Sequence, residues 1–186
     1  VSCQTDAHTN GTSFAYDFIT RETLVTNALG HVSIYRHDER LLVTNIVDEA
    51  GNQQFFGYDT NRNRVLVQDK NGNLTQYGYD ERGNVTSKID ALSQATLIEY
   101  DALNNPLRRV DALTNETAFG YDANGNLTAT TNALGHVTRI AYTDGLPVVL
   151  TDPLGNSTTN SYDAKGNLVA VTDAKGFTSR FDFDGV

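Results

Sequence analysis

The sequence has no methionine and no tryptophan, and only one cysteine and three prolines among its 186 residues. Because Cys3 has no second cysteine to pair with, no disulfide within the chain supports the fold. No apolar run approaches the roughly 18 residues of a membrane-spanning helix, and the chain does not open on a charged and then apolar signal segment. The absence of methionine predicts that the sequence is a segment of a longer protein, so any export signal is expected outside it.

Positive charge is also scarce in this chain. There are 14 lysines and arginines against 23 aspartates and glutamates, which gives a formal net charge of −9. A protein that binds the phosphate backbone of a nucleic acid carries clusters of basic residues, whereas the longest basic cluster here is Arg108-Arg109. We therefore expect no nucleic-acid partner.

What the sequence has instead is a recurring Tyr-Asp pair. The complete pairs are Tyr16-Asp17, Tyr58-Asp59, Tyr79-Asp80, Tyr100-Asp101, Tyr121-Asp122 and Tyr162-Asp163. Degenerate copies at His37-Asp38, Tyr142-Thr143 and Phe183-Asp184 complete a series with an interval of 21 residues, apart from one residue deleted between Tyr142 and Tyr162. A fixed period near 20 residues indicates one supersecondary unit copied along the chain. We predict an array of about nine repeats over residues 12–186, preceded by a flanking segment at residues 1–11.

Each repeat contains two turn signals. In the repeat that begins at Tyr121 these are residues 122–126 (Asp-Ala-Asn-Gly-Asn) and residues 132–135 (Asn-Ala-Leu-Gly). The Asp or Asn opens a turn by accepting hydrogen bonds from nearby backbone N–H groups, and the glycine three residues later adopts a positive φ. Gly83, Gly125 and Gly166 are the glycines that follow complete Tyr-Asp pairs in this way. Two turns per repeat leave two segments of about six or seven residues, which is the usual length of a β-strand.

The segment before each Tyr-Asp pair alternates as a strand does. With the tyrosine as position 0, position −2 is aromatic or aliphatic in most copies, position −4 is Thr or Ser in most, and position −1 is small or polar in most. These columns predict one bulky face and an opposite face that is thin and wettable. No window has the spacing of an amphipathic helix. Because short strands joined by tight turns pair antiparallel, we predict an all-β fold, a ribbon of antiparallel β-hairpin repeats in which each copy needs its neighbours.

With both turns and the columns in view, the units resemble the Rhs or YD-repeat family. The family signature is Tyr-Asp, two variable residues, Gly, a small polar or basic residue and an aliphatic residue. The copies that begin at Tyr79, Tyr121 and Tyr162 fit this signature closely, with Asn84, Asn126 and Asn167 where many members carry Arg. The copies at His37, Tyr58 and Tyr100 depart from it, because the first lacks its tyrosine and the others lack the glycine. We interpret these departures as strand irregularities within the same fold.

The resemblance implies a spiralling β-ribbon that curls into a partial β-shell. In bacterial polymorphic and insecticidal toxins such shells encapsulate or present a toxin domain, and in teneurin-like proteins a similar shell serves adhesion. The implied location is secreted or at the cell surface, and the implied partners are the adjacent repeats and an encapsulated toxin domain of the parent polypeptide. The implied role of the signature residues is structural: Tyr16, Asp17, Tyr58, Asp59, Tyr79, Asp80, Gly83, Tyr100, Asp101, Tyr121, Asp122, Gly125, Tyr142, Tyr162, Asp163 and Gly166. The run from Asp152 to Gly155 resembles part of the family's self-cleavage motif, but it occupies an ordinary second-turn position, so we interpret it as a turn.

Metal binding, catalysis and carbohydrate binding are the alternatives to a scaffold. The Asp-x-Asn-Gly turns are similar to calcium loops, but an EF-hand loop needs a glutamate six residues after the glycine, where Thr131 and Gly78 stand. The four histidines, His8, His31, His37 and His136, show no convergent ligand set or catalytic triad. We therefore expect no catalytic residue, no metal and no cofactor. The remaining alternative is an adhesion module whose exposed tyrosines stack on carbohydrates or bind a partner protein.

Overall fold

The computed structural model describes residues 2–5 and 11–183, and all regular structure in these residues is β-strand. The chain forms two compact units, Val1–Ala95 and Thr96–Val186. His8 and Asp184, the second residue of the closing Tyr-Asp-like pair, lie outside the described residues. In the described part of the chain no helix is long and apolar enough to cross a membrane.

The strands of the first unit are short and follow one another closely. They are β1 (Ser2–Thr5), β2 (Gly11–Asp17), β3 (Glu22–Thr26), β4 (Val32–His37), β5 (Val43–Val47), β6 (Gln53–Tyr58), β7 (Arg64–Gln68), β8 (Leu74–Tyr79) and β9 (Val85–Ile89). Each pairs antiparallel with the next along the chain. The backbone of β1, in the flanking segment, pairs with β2 so that Ser2 lies opposite Phe14.

The second unit repeats the same plan. Its strands are β10 (Ala95–Tyr100), β11 (Pro106–Val110), β12 (Glu116–Tyr121), β13 (Leu127–Thr131), β14 (Val137–Thr143), β15 (Leu146–Thr151), β16 (Ser157–Tyr162), β17 (Leu168–Thr172) and β18 (Thr178–Arg180). Here too, each strand pairs antiparallel with the next. The prediction of an all-β array of antiparallel hairpins is confirmed, whereas its curling into a partial shell stays a prediction.

We call the turn that follows each Tyr-Asp pair the first turn of its repeat, and the other turn the second. In seven of the hairpins closed by a first turn, a β-bulge lies immediately before the tyrosine or its replacement. The register shifts between Gly57 and Tyr58, between Gly78 and Tyr79, and at the equivalent places before His37, Tyr100, Tyr121, Tyr142 and Tyr162. The β2–β3 hairpin differs, because Tyr16 pairs with Thr23 and Asp17 with Glu22 without a shift. A bulge leaves one residue of the partner strand without a paired residue opposite it and increases the local twist. It is thus a regular part of the repeat.

The departures from the signature do not disturb the turns. Arg62 and Asn104 stand where other copies have glycine, and they adopt the same positive φ, 70° and 68°. The incomplete copies keep the same fold and have a register irregularity before position 0, but the complete copies have the same bulge, so the irregularity belongs to the repeat and not to the departures. The deletion after Tyr142 has a separate cause: Asp144 and Gly145 form a two-residue hairpin loop, with φ of 52° and 78°.

The face opposite the tyrosines is not thin, in contrast to our prediction. Position −1 is small because the residue on the next strand covers it: a Cβ atom at Gly57 would lie 3.1 Å from Leu66 Cβ, and one at Gly78 would lie 2.5 Å from Ser87 Oγ. Ala170, which is 6% exposed, lies on this same face opposite Ser161. Small residues at position −1 therefore allow close cross-strand packing beside the bulge.

Neither unit has a conventional hydrophobic core. Among the described residues only Asn45 and Ala170 are buried, and most other strand side chains are half-exposed. The strands within each unit thus lie in one layer, and neighbouring strands supply most of the burial.

Candidate functional site

The turn that opens at Asp122 shows the local structure of the repeat. The Asp122 Oδ1 atom accepts hydrogen bonds from the backbone N–H groups of Asn124 and Asn126, both at 2.9 Å. The Asp122 Oδ2 atom accepts a third hydrogen bond, from the side-chain amide of Asn126, also at 2.9 Å. Gly125 closes the turn with a φ of 83°, and its N–H donates to the Asp122 carbonyl. One aspartate and one asparagine thus hold the five-residue turn.

The same arrangement recurs in first and second turns along the chain, and it lowers the pKa values of the aspartates. Hydrogen bonds from the asparagine four residues later are the first cause of a lowered pKa, and backbone N–H groups add to it. The aspartates with this pattern are Asp69, Asp80, Asp111, Asp122, Asp152 and Asp163. Hydrogen bonds to the charged form of a carboxyl stabilise that form.

Hydrogen bonding also bears on the calcium alternative. Both carboxylate oxygens of Asp69 and of Asp122 accept N–H groups of their own turn. A calcium loop directs its carboxylate oxygens at the ion instead. In the described part of the chain, no group of three or more His, Cys, Asp or Glu side chains is arranged to hold a metal ion. The turn interpretation therefore accounts for these residues.

The tyrosine hydroxyls reach back to the preceding strand. Tyr58 donates to the Val43 carbonyl at 2.9 Å, Tyr79 to the Arg64 carbonyl at 3.0 Å, and Tyr162 to the Pro147 carbonyl at 2.9 Å. Each acceptor lies 15 residues earlier, at the start of the neighbouring strand, beyond the last paired residues of the two strands. The hydroxyl thus provides a link between hairpins where the backbone ladder has ended.

The predicted signature residues occupy two kinds of position. Five tyrosines are the last residue of a strand: Tyr58, Tyr79, Tyr100, Tyr121 and Tyr162. Tyr142 and Tyr16 lie one residue before the ends of β14 and β2. Five aspartates open first turns: Asp59, Asp80, Asp101, Asp122 and Asp163. Asp17 is the last residue of β2. The three signature glycines, Gly83, Gly125 and Gly166, have positive φ. The structure therefore spreads these residues along one edge of each unit.

In the first unit, the hairpin without a bulge and the His37 copy together border an open cavity of about 270 Å³. Tyr16, Phe18 and Leu41 supply its apolar walls, and Arg21 and His37 are among its polar ones. His37 replaces the tyrosine, and its Nδ1 atom lies 3.1 Å from the Arg21 carbonyl, which also accepts the His37 backbone N–H. The cavity lies beside the β2–β3 turn, which has four residues (18–21) between its paired strand ends, and His37 contacts a backbone carbonyl there, not a carboxylate.

Sequence reasoning missed the polar links across the face opposite the tyrosines. In the first unit Arg36 donates to Glu22 Oε1 and to Asn45 Oδ1, both at 2.8 Å. In the second unit Arg108 lies between Glu99, at 3.0 Å, and Glu116, at 2.8 Å. Opposite charges on three successive strands are the available signal, but it can be recognised only once the register is known.

One family model and a solved structure with a TM-score of 0.60 agree with an all-β repeat. The family model described as RHS Repeat matches residues 100–137 and 142–178. No curated protein matches the chain in sequence. A chain of the Photorhabdus luminescens Tc holotoxin pore, solved with a mutation in TccC3, is 15% identical with a TM-score of 0.60, and the match covers 91% of this chain and 11% of that one. A chain in the crystal structure of TcdB2-TccC3-Cdc42 is 14% identical with a TM-score of 0.34, over 92% of this chain and 14% of that one.

Proposed function

We propose that the chain is a segment of a β-ribbon scaffold that encloses or presents another part of its parent polypeptide, because residues 100–137 and 142–178 match the RHS Repeat family model. The enclosed part is a toxin domain, and the parent is a secreted or surface-exposed toxin-delivery protein. Support for the fold comes from the similar chain of a Tc holotoxin pore, of which this chain spans about a tenth of the length. The scaffold itself performs no catalysis in this proposal.

The absence of a core among the described residues is the observation that carries the proposal. Only Asn45 and Ala170 are buried there, and both faces of each unit keep half-exposed side chains. A sheet of one layer cannot cover its own apolar face, so it gains further burial only from a neighbour. A ribbon that lines an enclosure supplies such a neighbour in the polypeptide it encloses.

Within this proposal the signature residues build the scaffold. The tyrosines join each hairpin to the preceding strand, the aspartates hold the turns, and the glycines adopt the positive φ that the turns need. A role in carbohydrate binding would require tyrosine hydroxyls free to contact a sugar. Those of Tyr58, Tyr79 and Tyr162 donate to backbone carbonyls instead. Sugar-specific retention of the chain on a glycan array would favour the alternative.

Limited proteolysis of the intact parent protein tests the enclosure. The parts outside the repeats should survive digestion much longer in the intact protein than when expressed without the repeats. Replacing Tyr121 and Tyr142 by Ala together should shorten that survival, because it loosens two neighbouring hairpins. Tyr16→Ala is the matched control, since Tyr16 is 54% exposed in a hairpin without a bulge. Equal digestion rates with and without the repeats would contradict the enclosure.

A further inference from the structure

The repeat itself shows where a position-0 tyrosine places its hydroxyl. In three copies the hydroxyl donates to the carbonyl of the residue 15 positions earlier: Tyr58 to Val43, Tyr79 to Arg64 and Tyr162 to Pro147. The residue 15 positions before His37 is Glu22, and Glu22 lines the cavity of the first unit. The cavity therefore lies beside the residue whose carbonyl a tyrosine in this copy would reach.

His37 does not supply such a hydroxyl. Its Nδ1 atom lies 3.1 Å from the Arg21 carbonyl, and its backbone N–H donates to the same carbonyl at 3.0 Å. Because a carbonyl oxygen can only accept, Nδ1 carries a proton. The imidazole is thus held at Arg21, and no position-0 side chain donates to the Glu22 carbonyl.

The walls of the cavity suit an aromatic ring. Tyr16, Phe18 and Leu41 line it and are 54%, 87% and 72% exposed. Its volume of about 270 Å³ is just below the roughly 300–1,000 Å³ of pockets for larger ligands, so it can hold one ring. Two of the three apolar walls are aromatic, and aromatic rings attract one another beyond the effect of buried area.

The charges at the cavity favour an uncharged ligand. Each charged side chain there already has a partner: Glu22 accepts from Arg36 at 2.8 Å, Asp17 accepts from the Ile19 and Thr20 N–H groups at 2.8 and 3.1 Å, and Arg21 lies 3.7 Å from Glu39. A charged ligand would have to displace one of these partners or remain unpaired. A neutral ligand with one hydroxyl needs only an acceptor.

We infer that this cavity binds an uncharged phenol. The ring packs against Tyr16, Phe18 and Leu41, and the hydroxyl donates to the Glu22 carbonyl, as tyrosine hydroxyls do in other copies. A carbonyl can accept two hydrogen bonds, so pairing within the sheet does not prevent this contact. A site used once should interrupt the repeat, and here two neighbouring copies lack the bulge and the tyrosine respectively.

An NMR titration of the whole chain with p-cresol, the side chain of tyrosine as a free molecule, tests the inference. Backbone amide signals of residues 16–23 and 37–41 should shift saturably, with a Kd on the order of 1 mM because the cavity is open. Signals of the second unit should not move. Toluene, which lacks the hydroxyl, should bind about threefold to tenfold more weakly. The charged analogue 4-methylbenzoate should also bind more weakly than p-cresol.

Substitutions locate the binding site. His37→Tyr places a tyrosine ring in this copy, so it should weaken p-cresol binding by at least about tenfold. The variant should fold, since tyrosine is the residue of most other copies, and unshifted amide signals in the second unit verify this. Phe18→Ala should weaken binding about threefold to tenfold. The matched control is Phe177→Ala in a second turn of the second unit, 72% exposed, which should leave binding unchanged.

The titration also distinguishes two sources of the ring. If N-acetyltyrosine amide binds as tightly as p-cresol, a tyrosine of another polypeptide can occupy the cavity, whereas binding of p-cresol alone identifies a small free phenol. Three results would overturn the inference: no saturable shift with p-cresol, equal binding of toluene, or undiminished binding to the His37→Tyr variant. The enclosure is independent of all three, because proteolysis of the parent protein tests it.

Discussion

The turns of the two units keep the same hydrogen-bonded frame but differ in the residues at their tips. Counting the opening Asp or Asn as turn position 1, position 2 is charged in four turns of the first unit: Glu39, Glu49, Lys70 and Glu81. The five-residue turns of the second unit have only alanine or proline at position 2: Ala102, Ala112, Ala123, Ala133, Pro153, Ala164 and Ala174. The frame depends on positions 1, 4 and 5, so positions 2 and 3 are free to make other contacts.

The first unit uses these free positions to join neighbouring hairpins. Lys70 donates to the Asp48 carboxylate in the preceding second turn, and Glu49 lies 3.2 Å from His31 Nδ1. At the other edge Arg40 donates to the Asp59 carbonyl in the next first turn. In the second unit the side chains at position 2 are alanine or proline, which carry no charge and cannot form such ionic links. The residues at positions 2 and 3 therefore decide whether neighbouring turns of the repeat are joined by polar contacts.

The largest expected change in unfolding free energy distinguishes a hairpin with a bulge from the β2–β3 hairpin, which has none. Tyr58→Ala should lower the free energy of unfolding by about 2–3 kcal/mol, because it removes a half-buried ring and its link to Val43. Tyr16→Ala should cost less than about 1 kcal/mol, because Tyr16 is 54% exposed. Chemical denaturation of both variants measures the difference.

Tyr58→Phe separates the ring from its hydroxyl. It should cost about 1 kcal/mol, the usual contribution of one hydrogen bond. Equal losses for Tyr58→Ala and Tyr16→Ala would show that the position-0 side chains do not join the hairpins, and the comparison of regular and irregular copies would then fail.

A reciprocal exchange between one turn of each unit should have the next largest effect. Thr114, in the second unit, holds a φ of 67°, and Gly72, in the first, holds a φ of 86° at the same turn position. Thr114→Gly should raise the free energy of unfolding by about 1 kcal/mol, because it removes a β-branched residue from the left-handed region. Gly72→Thr should lower it by about 1–2 kcal/mol for the same reason. Thermal unfolding of both variants gives the two signs.

Ala50→Ser is the control for this exchange. It changes turn position 3, where φ is negative in both units, and should alter the unfolding free energy by less than about 0.5 kcal/mol. If both members of the exchange destabilised the chain, the turns of the two units would not be equivalent.

The repeat could be predicted from the sequence because its signals are local and occur many times. A tyrosine at most 21-residue positions of the series, an Asp or Asn that opens each turn and a strand-length segment between turns are enough to predict antiparallel hairpins. Because the turn signals occur at the same place in each repeat, they also locate the strand ends at Tyr79, Tyr121 and Tyr162.

What could not be predicted depends on pairing across strands. Gly57 and Gly78 suggest a thin face in a single strand, and only the register shows Leu66 and Ser87 lying over them. The sequence likewise does not show that Arg62 and Asn104 can take the place of glycine, since their positive φ is imposed by a turn that Asp59 and Asp101 already hold. The link between Arg36 and Glu22 also needs the register, because these residues are 14 positions apart.

The smallest expected effect concerns two aspartates at equivalent second-turn positions. In the first unit the pKa of Asp48 is lowered chiefly by the hydrogen bond from the Lys70 ammonium, with the Asn52 amide second. In the second unit the pKa of Asp152 is lowered by the Asn156 amide, and Ala174 occupies the place of Lys70. Asp48 should therefore titrate at a lower pH than Asp152 when the carboxyl carbons are followed by NMR, and Lys70→Ala should bring the two midpoints together.

The sign of the stability change follows from the same shift. Both folded-state pKa values lie below the value of about 3.9 expected for an unfolded aspartate, so each carboxylate stabilises the fold above that pH. This stabilisation is lost as the pH falls through the folded-state pKa, which happens at a lower pH for Asp48. The stability difference between the chain and its Lys70→Ala variant should accordingly be small at pH 7, shrink with added salt and vanish once Asp48 is protonated. A difference that persisted in strong acid would mean that Lys70 stabilises its hairpin through its aliphatic chain and not through its charge.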